Sequence, residues 1–503
     1  MIMSSNIYRP VIYVRGYSRG QSTVEDTVNL PYYGFNLGST KVRTGPDRTP
    51  ELLIFESPLV RLLRDHDYKD HFVRVSGTRL DFINEPAPPK EMPLKSLVIF
   101  RYYDETSDEV GSGKRFKIED LAGQLARIVE HVRKATGAGR VDLVAHSMGG
   151  LICRSLIQRK WGGGEARERI GRLFTFGTPH SGIEFQHVFR AGEVLRDFFG
   201  RYDADTFGPK RMREYLGFPK RHPRSRLKEL GGRFPPWRVF CLIGTNAGDY
   251  DVAWGWSSRA AGSQSDGLVK IANAYVRGSS RSYIHRSHSG PYGIVNSEEG
   301  YQNLERFLFG DMRVRISLAG VEFDRRADAY ADLKFVLLES EVALRGGAVH
   351  IHERREEHLS AENMTPAELE EKGETVHETF LMRNRRVEIP GGGAPPESRF
   401  LVRLRLIPKY TRSRLFRSDK IYAGDETLFE TSVIVAVADA ESGGSRRIKV
   451  WLDGRGEGEP HADEKIHGVE KKAQSYQVKL NTEGTGLTKA ALRFDVQAHR
   501  IED

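Results

Sequence analysis

The segment Val141-Asp-Leu-Val-Ala-His-Ser-Met-Gly-Gly150 restricts the fold more than any other part of this 503-residue chain. Val141, Leu143, Val144 and Ala145 form a short apolar strand pattern, and the helix-spaced residues Leu151, Ile152, Leu156 and Ile157 follow almost at once. A strand passes into a helix this abruptly only through a tight turn, with Ser147 at its apex. Such a turn leaves little room two residues to either side, and the small residues Ala145 and Gly149 stand there.

The surrounding sequence predicts a sheet for that strand to join. Residues 11–14, 97–100, 173–176 and 239–243 are further strand candidates, separated by amphipathic stretches. Ile118, Leu121, Leu125, Ile128 and Val132 recur at helical spacing and predict a helix linking two parallel strands. The alternation predicts an α/β architecture with a mostly parallel central sheet. Asn296 with Glu299 is a plausible capping pair for a helix over 297–309 that Gly310 ends.

Beyond that glycine the apolar period changes to two, as in Val314, Ile316, Leu318; Leu404, Leu406; Ile448, Val450, Leu452; Tyr476, Val478, Leu480; and Leu492, Phe494, Val496. The chain is therefore expected to divide into an α/β domain, 1–310, and a C-terminal antiparallel, sandwich-like β domain, 311–503. Residues 391–396 and 454–459 read as loops, and 364–373 as a short helix.

Composition removes several classes of function. Mean hydropathy is −0.50, and no apolar run approaches the roughly 18 residues of a membrane-spanning helix. Two cysteines, Cys153 and Cys241, exclude a disulfide-stapled scaffold or an all-cysteine metal site. No glycine-rich phosphate loop or metal-spaced cluster stands out, so no cofactor, metal or nucleic-acid partner is expected. The opening MIMSSNIYRP lacks a charged-then-apolar leader, which predicts a cytoplasmic protein, with non-Sec export as the other route. Residues 1–310 hold 46 basic and 34 acidic side chains, against 31 and 34 in 311–503. A solvated basic surface accounts for this excess; an anionic partner is the alternative.

A serine held at a strand-to-helix apex reads as a nucleophile elbow. With Ala145-His-Ser-Met-Gly149, residues 1–310 resemble the lipase and esterase branch of the α/β-hydrolase superfamily, in which some bacterial lipases carry Ala-x-Ser-x-Gly. Phe176-Gly-Thr-Pro-His-Ser-Gly182 is similar to a strand-end stretch of lipases and GPI inositol-deacylases, where a structural role is expected; His180 precedes the expected acid and is disfavoured as base.

The resemblance implies a nucleophile, acid and base in the chain order Ser147, Asp266, His288. Asp266 lies in Ser265-Asp-Gly-Leu-Val269, like the segment that carries the catalytic aspartate of bacterial lipases; Asp249 and Asp251 are rivals. His288 precedes a loop into the last helix of the first domain, with His285 as its rival. Oxyanion donors would be the Met148 N–H and the Tyr17 N–H, with Ser18 as a fallback. Arg15 stands where the family usually has histidine before this loop, and either braces the loop or meets an anionic substrate group.

The expected activity is that of a serine carboxylic-ester hydrolase, an esterase or lipase working through an acyl-enzyme without a cofactor. Its expected partner is a small-molecule or lipid ester, with peripheral contact to lipid. A phospholipase, including a secreted effector, and an acyltransferase share the chemistry, whereas a non-catalytic binding protein would not need the whole triad. Residues 18–50, with Tyr32, Tyr33 and Phe35, and 183–235, with Phe185, Val188, Phe189, Leu195 and Phe198, either roof the cleft or simply pack on the core. The second insertion carries a basic run from Lys210 to Lys228 that suits an anionic ester if it is not merely solvated. Targeting lipid, protein or carbohydrate, or shielding the catalytic domain, are the roles open to the β domain.

Overall fold

The computed structural model describes residues 7–16, 39–44, 50–83, 85–102, 117–183, 204–249, 264–290, 292–326, 330, 332–345, 349–382, 397–414, 417–423, 427–438, 447–452, 464–466 and 473–499. The chain divides into two compact units, one formed by residues up to Leu308 and one from Phe309 onward, with Ser282–Ile284 grouped with the second.

The first unit is built on an eight-stranded sheet. In chain order the strands of this region are β1 (Val11–Val14), β2 (Ser39–Thr44), β3 (Pro50–Phe55), β4 (Lys69–Ser76), β5 (Arg79–Phe82), β6 (Ser96–Phe100), β7 (Val141–His146), β8 (Ile170–Phe176), β9 (Val239–Gly244) and β10 (Ser280–Ile284). The sheet runs β10-β9-β8-β7-β1-β6-β4-β5, while β2 and β3 pair separately within what reads as loop. Strands β9, β8, β7, β1, β6 and β4 are parallel, and β5 closes one edge antiparallel to β4. In β1, β6, β7, β8 and β9 every residue is buried, as strands covered on both faces require.

Helices α1 (Ser57–His66), α2 (Ile118–Thr136), α3 (Met148–Ser155) and α4 (Glu298–Phe309) belong to this unit. Helix α2 buries the predicted stripe Ile118, Leu121, Leu125, Ile128 and Val132, and ends on Gly137 at φ +70°. The cap of α4 differs from expectation. Ser297 Oγ accepts from Gly300 N at 3.0 Å, the bond an N-cap makes with the third helical residue. Asn296 instead accepts from Ser57 N, 239 residues away, at the start of α1.

Strands β4, β5 and β10 escaped the sequence reading. Lys69, Asp70, His71 and Arg74 break up the apolar run of β4, yet Phe72, Val73 and Val75 are buried.

Among the described residues the second unit consists of two antiparallel sheets of five and seven strands. The period-two residues Val314, Ile316, Leu404, Leu406, Ile448, Val450, Leu492 and Phe494 meet in one core contributed by both sheets. Strand Leu333–Leu344 was hidden because Ser340 interrupts its inward apolar series; its Oγ bonds His352 Nε2 at 3.0 Å. The short helix is Pro366–Lys372, closed by a Thr365–Glu368 capping box. Loops 391–396 and 454–459 lie outside the described residues. No helix of the described residues is long and apolar enough to cross a membrane.

Candidate active site

Parallel strands bring their C-terminal ends to one edge of the sheet, so the segments after β1, β7, β8 and β9 converge there, and the segment after β10 meets them through His288. Ser147 follows β7 directly with φ +52° and ψ −126°, a backbone conformation that non-glycine residues rarely adopt. Three contacts hold this turn. Ser147 N donates to Phe176 O at 2.9 Å, Gly150 N to Ser147 O at 3.1 Å, and Thr178 Oγ1 to Ser147 O at 2.9 Å. The last gives the Gly177-Thr-Pro stretch its structural role.

Glycine is required around the serine by close approach. A Cβ on Gly149 would lie 2.1 Å from Val14 O, and one on Gly150 2.2 Å from Thr178 Oγ1. A Cβ on Gly16 would lie 2.8 Å from Ser147 Cβ, so the loop after β1 passes directly against the serine.

The structure brings Ser147, Asp266 and His288 into one hydrogen-bonded series. His288 Nε2 is 2.9 Å from Ser147 Oγ, and His288 Nδ1 is 2.8 Å from Asp266 Oδ2. All three residues are buried. Asp266 Oδ1 accepts from Leu268 N at 3.1 Å and Val269 N at 2.7 Å, so the Asp-Gly-Leu-Val turn turns Oδ2 toward the imidazole. His288 N also donates to Asp266 O at 2.8 Å. Gly177, at φ +52°, lies beside this pair: a Cβ there would be 3.1 Å from Asp266 Oδ2.

The rival residues lie elsewhere. His285 is half-buried with Nδ1 3.3 Å from Thr245 Oγ1, and exposed Asp249 accepts from Asn246 Nδ2 at 2.7 Å. Asp251 is outside the described residues. His180 is buried against Thr175 Oγ1 at 3.1 Å and Cys241 Sγ at 3.5 Å.

Of the two expected oxyanion donors, the Met148 N–H opens α3, where the helical ladder provides no acceptor for it. Tyr17 and Ser18 lie outside the described residues. Arg15 braces its loop: its Nε pairs with buried Glu56 Oε1 at 2.8 Å, and Tyr102 Oη donates to Arg15 O at 2.7 Å.

Two residues near the site were not picked out from the sequence. His146 is buried with Nε2 3.1 Å from His288 O; burial first, then the neighbouring His288 and Arg15 charges, hold its pKa well below the ordinary imidazole value. Arg154 on α3 is fully buried and donates to Gln158 Oε1 at 2.8 Å, His180 O at 2.5 Å, Leu227 O at 2.8 Å and Glu229 O at 2.9 Å. Burial lowers its pKa to about 10. The first of these was signalled only by its place before the serine. Nothing in the sequence distinguished the second from a surface arginine.

Within the insertion, residues 184–203 lie outside the described set, as do Phe185, Val188, Phe189, Leu195 and Phe198. From Phe207 onward Met212, Tyr215, Leu216, Leu227, Leu230 and Phe234 are buried. Much of the basic run is engaged within the chain: Arg211 with Glu119 and Glu214, Arg213 with His222 O, Arg226 with Glu229, and Lys228 with Tyr275 Oη. Tyr32, Tyr33 and Phe35 are also outside the described residues. No group of three or more potential metal ligands occurs among the described residues.

The α/β hydrolase fold family matches residues 97–318, and a mostly parallel sheet with a serine elbow after β7 fits it. The first unit has the α/β-hydrolase fold. The chain is 32% identical over 100 residues to triacylglycerol lipases of Pseudarthrobacter phenanthrenivorans and Burkholderia plantarii. Those matches cover 18% of this chain and 30% and 26% of the two lipases, so the chain spans under a third of these curated relatives. Similar solved structures include the lipase BlEst2 of Bacillus licheniformis, with 12% identity, TM-score 0.30 and coverage of 88% of this chain and 96% of that one. Phospholipase PlaB of Legionella pneumophila has 13% identity, TM-score 0.32 and coverage of 83% and 91%.

Proposed function

We propose that the chain is a serine carboxylic-ester hydrolase of esterase or lipase type, acting on a lipid or other small ester through an acyl-enzyme at Ser147. The observation that carries this reading is the buried series Ser147 Oγ, His288 Nε2, His288 Nδ1, Asp266 Oδ2, with contacts of 2.9 and 2.8 Å. An isolated hydroxyl is a weak nucleophile, and a neutral imidazole at hydrogen-bond distance can take its proton as the Oγ–carbonyl bond forms. Asp266 Oδ2 fixes the tautomer with the proton on Nδ1 and stabilises the imidazolium that results. The Met148 N–H faces the charge developing on the carbonyl oxygen, with Tyr17 N–H as the second donor. His288 then returns its proton to the leaving alcohol, and water repeats the sequence to release the acid.

Hydrolysis of p-nitrophenyl esters of increasing chain length tests the reading. Wild type should turn over, and Ser147→Ala should lose at least about 10³-fold in kcat. Equal rates for the two proteins would overturn the assignment, and diversion of most product to a new ester by an added alcohol would favour an acyltransferase.

A further inference from the structure

We infer that His146 is a positioning residue for the general base, its Nε2–H holding the His288 carbonyl and so fixing where the His288 ring stands relative to Ser147. This rests on the proposed function above. The carbonyl only accepts, so the 3.1 Å contact requires the proton on His146 Nε2. That assigns one tautomer to a neutral ring and leaves its Nδ1 facing the loop after β1, where a Cβ on Gly16 would lie 3.2 Å away.

The base is also held at its own peptide N–H, which donates to Asp266 O, and at its ring Nδ1, which bonds Asp266 Oδ2. Both tie it to the acid. The His146 bond ties the His288 backbone to the strand that carries the nucleophile, because His146 is the last residue of β7 and Ser147 is the next. The distance between base and nucleophile is thus set across one short covalent and hydrogen-bonded circuit. The two imidazole rings lie 5.2 Å apart between centroids at 37°, packed against one another. Burial keeps His146 uncharged, which spares the imidazolium formed at His288 a second positive charge beside it.

A group that merely fills space and one that donates at Nε2 make different demands on substitution. Glutamine carries its amide nitrogen near the Nε2 position, asparagine carries its own nearer Nδ1, and leucine has no donor. With p-nitrophenyl butyrate, His146→Gln should keep kcat within about threefold of wild type, while His146→Asn and His146→Leu should lose about 10–100-fold in kcat with KM unchanged, as expected for a base misplaced by a fraction of an ångström to an ångström. The rate of covalent labelling of Ser147 by a fluorophosphonate probe should fall in the same order. Thermal melts show which variants fold.

Asparagine and leucine variants within threefold of wild type would overturn the proposal, as would a folded glutamine variant impaired as badly as leucine. If neither asparagine nor leucine variant folds, the glutamine variant decides alone, by labelling within threefold or more than tenfold slower. A wild type that labels at Ser147 while the leucine variant labels equally fast removes only the role of His146. A wild type that does not label, with hydrolysis unaffected by Ser147→Ala, removes the proposed function as well.

Discussion

Replacing Gly149 by alanine adds one methyl group at the point where α3 meets β1. The new Cβ would lie 2.1 Å from Val14 O, at the end of β1, and 2.7 Å from Arg15 O, in the loop that passes Ser147. Carbon–oxygen contacts this short cannot persist, and restoring an ordinary separation moves helix and loop apart by about 1 Å. Overpacking of this kind costs about 1–3 kcal/mol, which lowers Tm by roughly 3–10 °C in a unit of this size. The same displacement shifts Met148 N–H and the loop after β1 relative to Ser147, and misplacement on that scale costs on the order of 10²-fold in kcat/KM. Gly123→Ala is the control: it lies within α2 and a Cβ there meets nothing within 4 Å. That substitution should stabilise by about 0.5–1 kcal/mol and leave kinetics unchanged. Thermal melts with ester kinetics on both variants test the argument; a Gly149→Ala protein with wild-type Tm and kcat/KM would refute it.

Two further outcomes follow from buried groups. His146 and His180 are pushed well below the ordinary imidazole range, mainly by burial, with His288 and Arg15 adding at the first and Arg154 at the second. The unfolded chain takes up protons at the usual value of about 6.5 and the folded chain does not, so stability is full above that pH and declines below it by up to about 1.4 kcal/mol per unit per histidine. Urea unfolding at pH 7.5 and 5.5 should show the loss, reduced in His180→Leu; an identical decline in the variant would remove His180 from the account. Arg154→Met deprives the carbonyls of His180, Leu227 and Glu229 of a donor, at about 1–3 kcal/mol each, partly offset by no longer burying a charge. A net loss of about 2–4 kcal/mol is expected, with faster amide exchange across 227–229; an unchanged unfolding midpoint would contradict it.

What was legible in the sequence is what is local. The elbow needs only ten consecutive residues, the Asp-Gly-Leu-Val turn four, and the His288 loop a few more, so short stretches marked each of the three groups the structure brings together. Apolar periodicity marked the fully buried strands and helix α2 for the same reason. Pairings set by distant parts of the chain left no such trace: Asn296 joins Ser57, Arg15 joins Glu56, and Arg154 reaches one carbonyl just before the insertion and two within it. Strand β4 was obscured by its charges and Leu333–Leu344 by an inward serine, because partial polarity breaks the period a buried strand otherwise shows.

Ser147 and His288 are separated by 141 positions, with Asp266 between them. During translation the hydroxyl leaves the ribosome long before its proposed base exists, and among the described residues the histidine that bonds its Oγ is His288. Until β9 and β10 have docked, the elbow presents an ordinary alcohol, harmless to the esters around a nascent chain. A fluorophosphonate that reacts with Ser147 therefore reports completed folding of the first unit, and truncations ending before residue 288 should remain unlabelled.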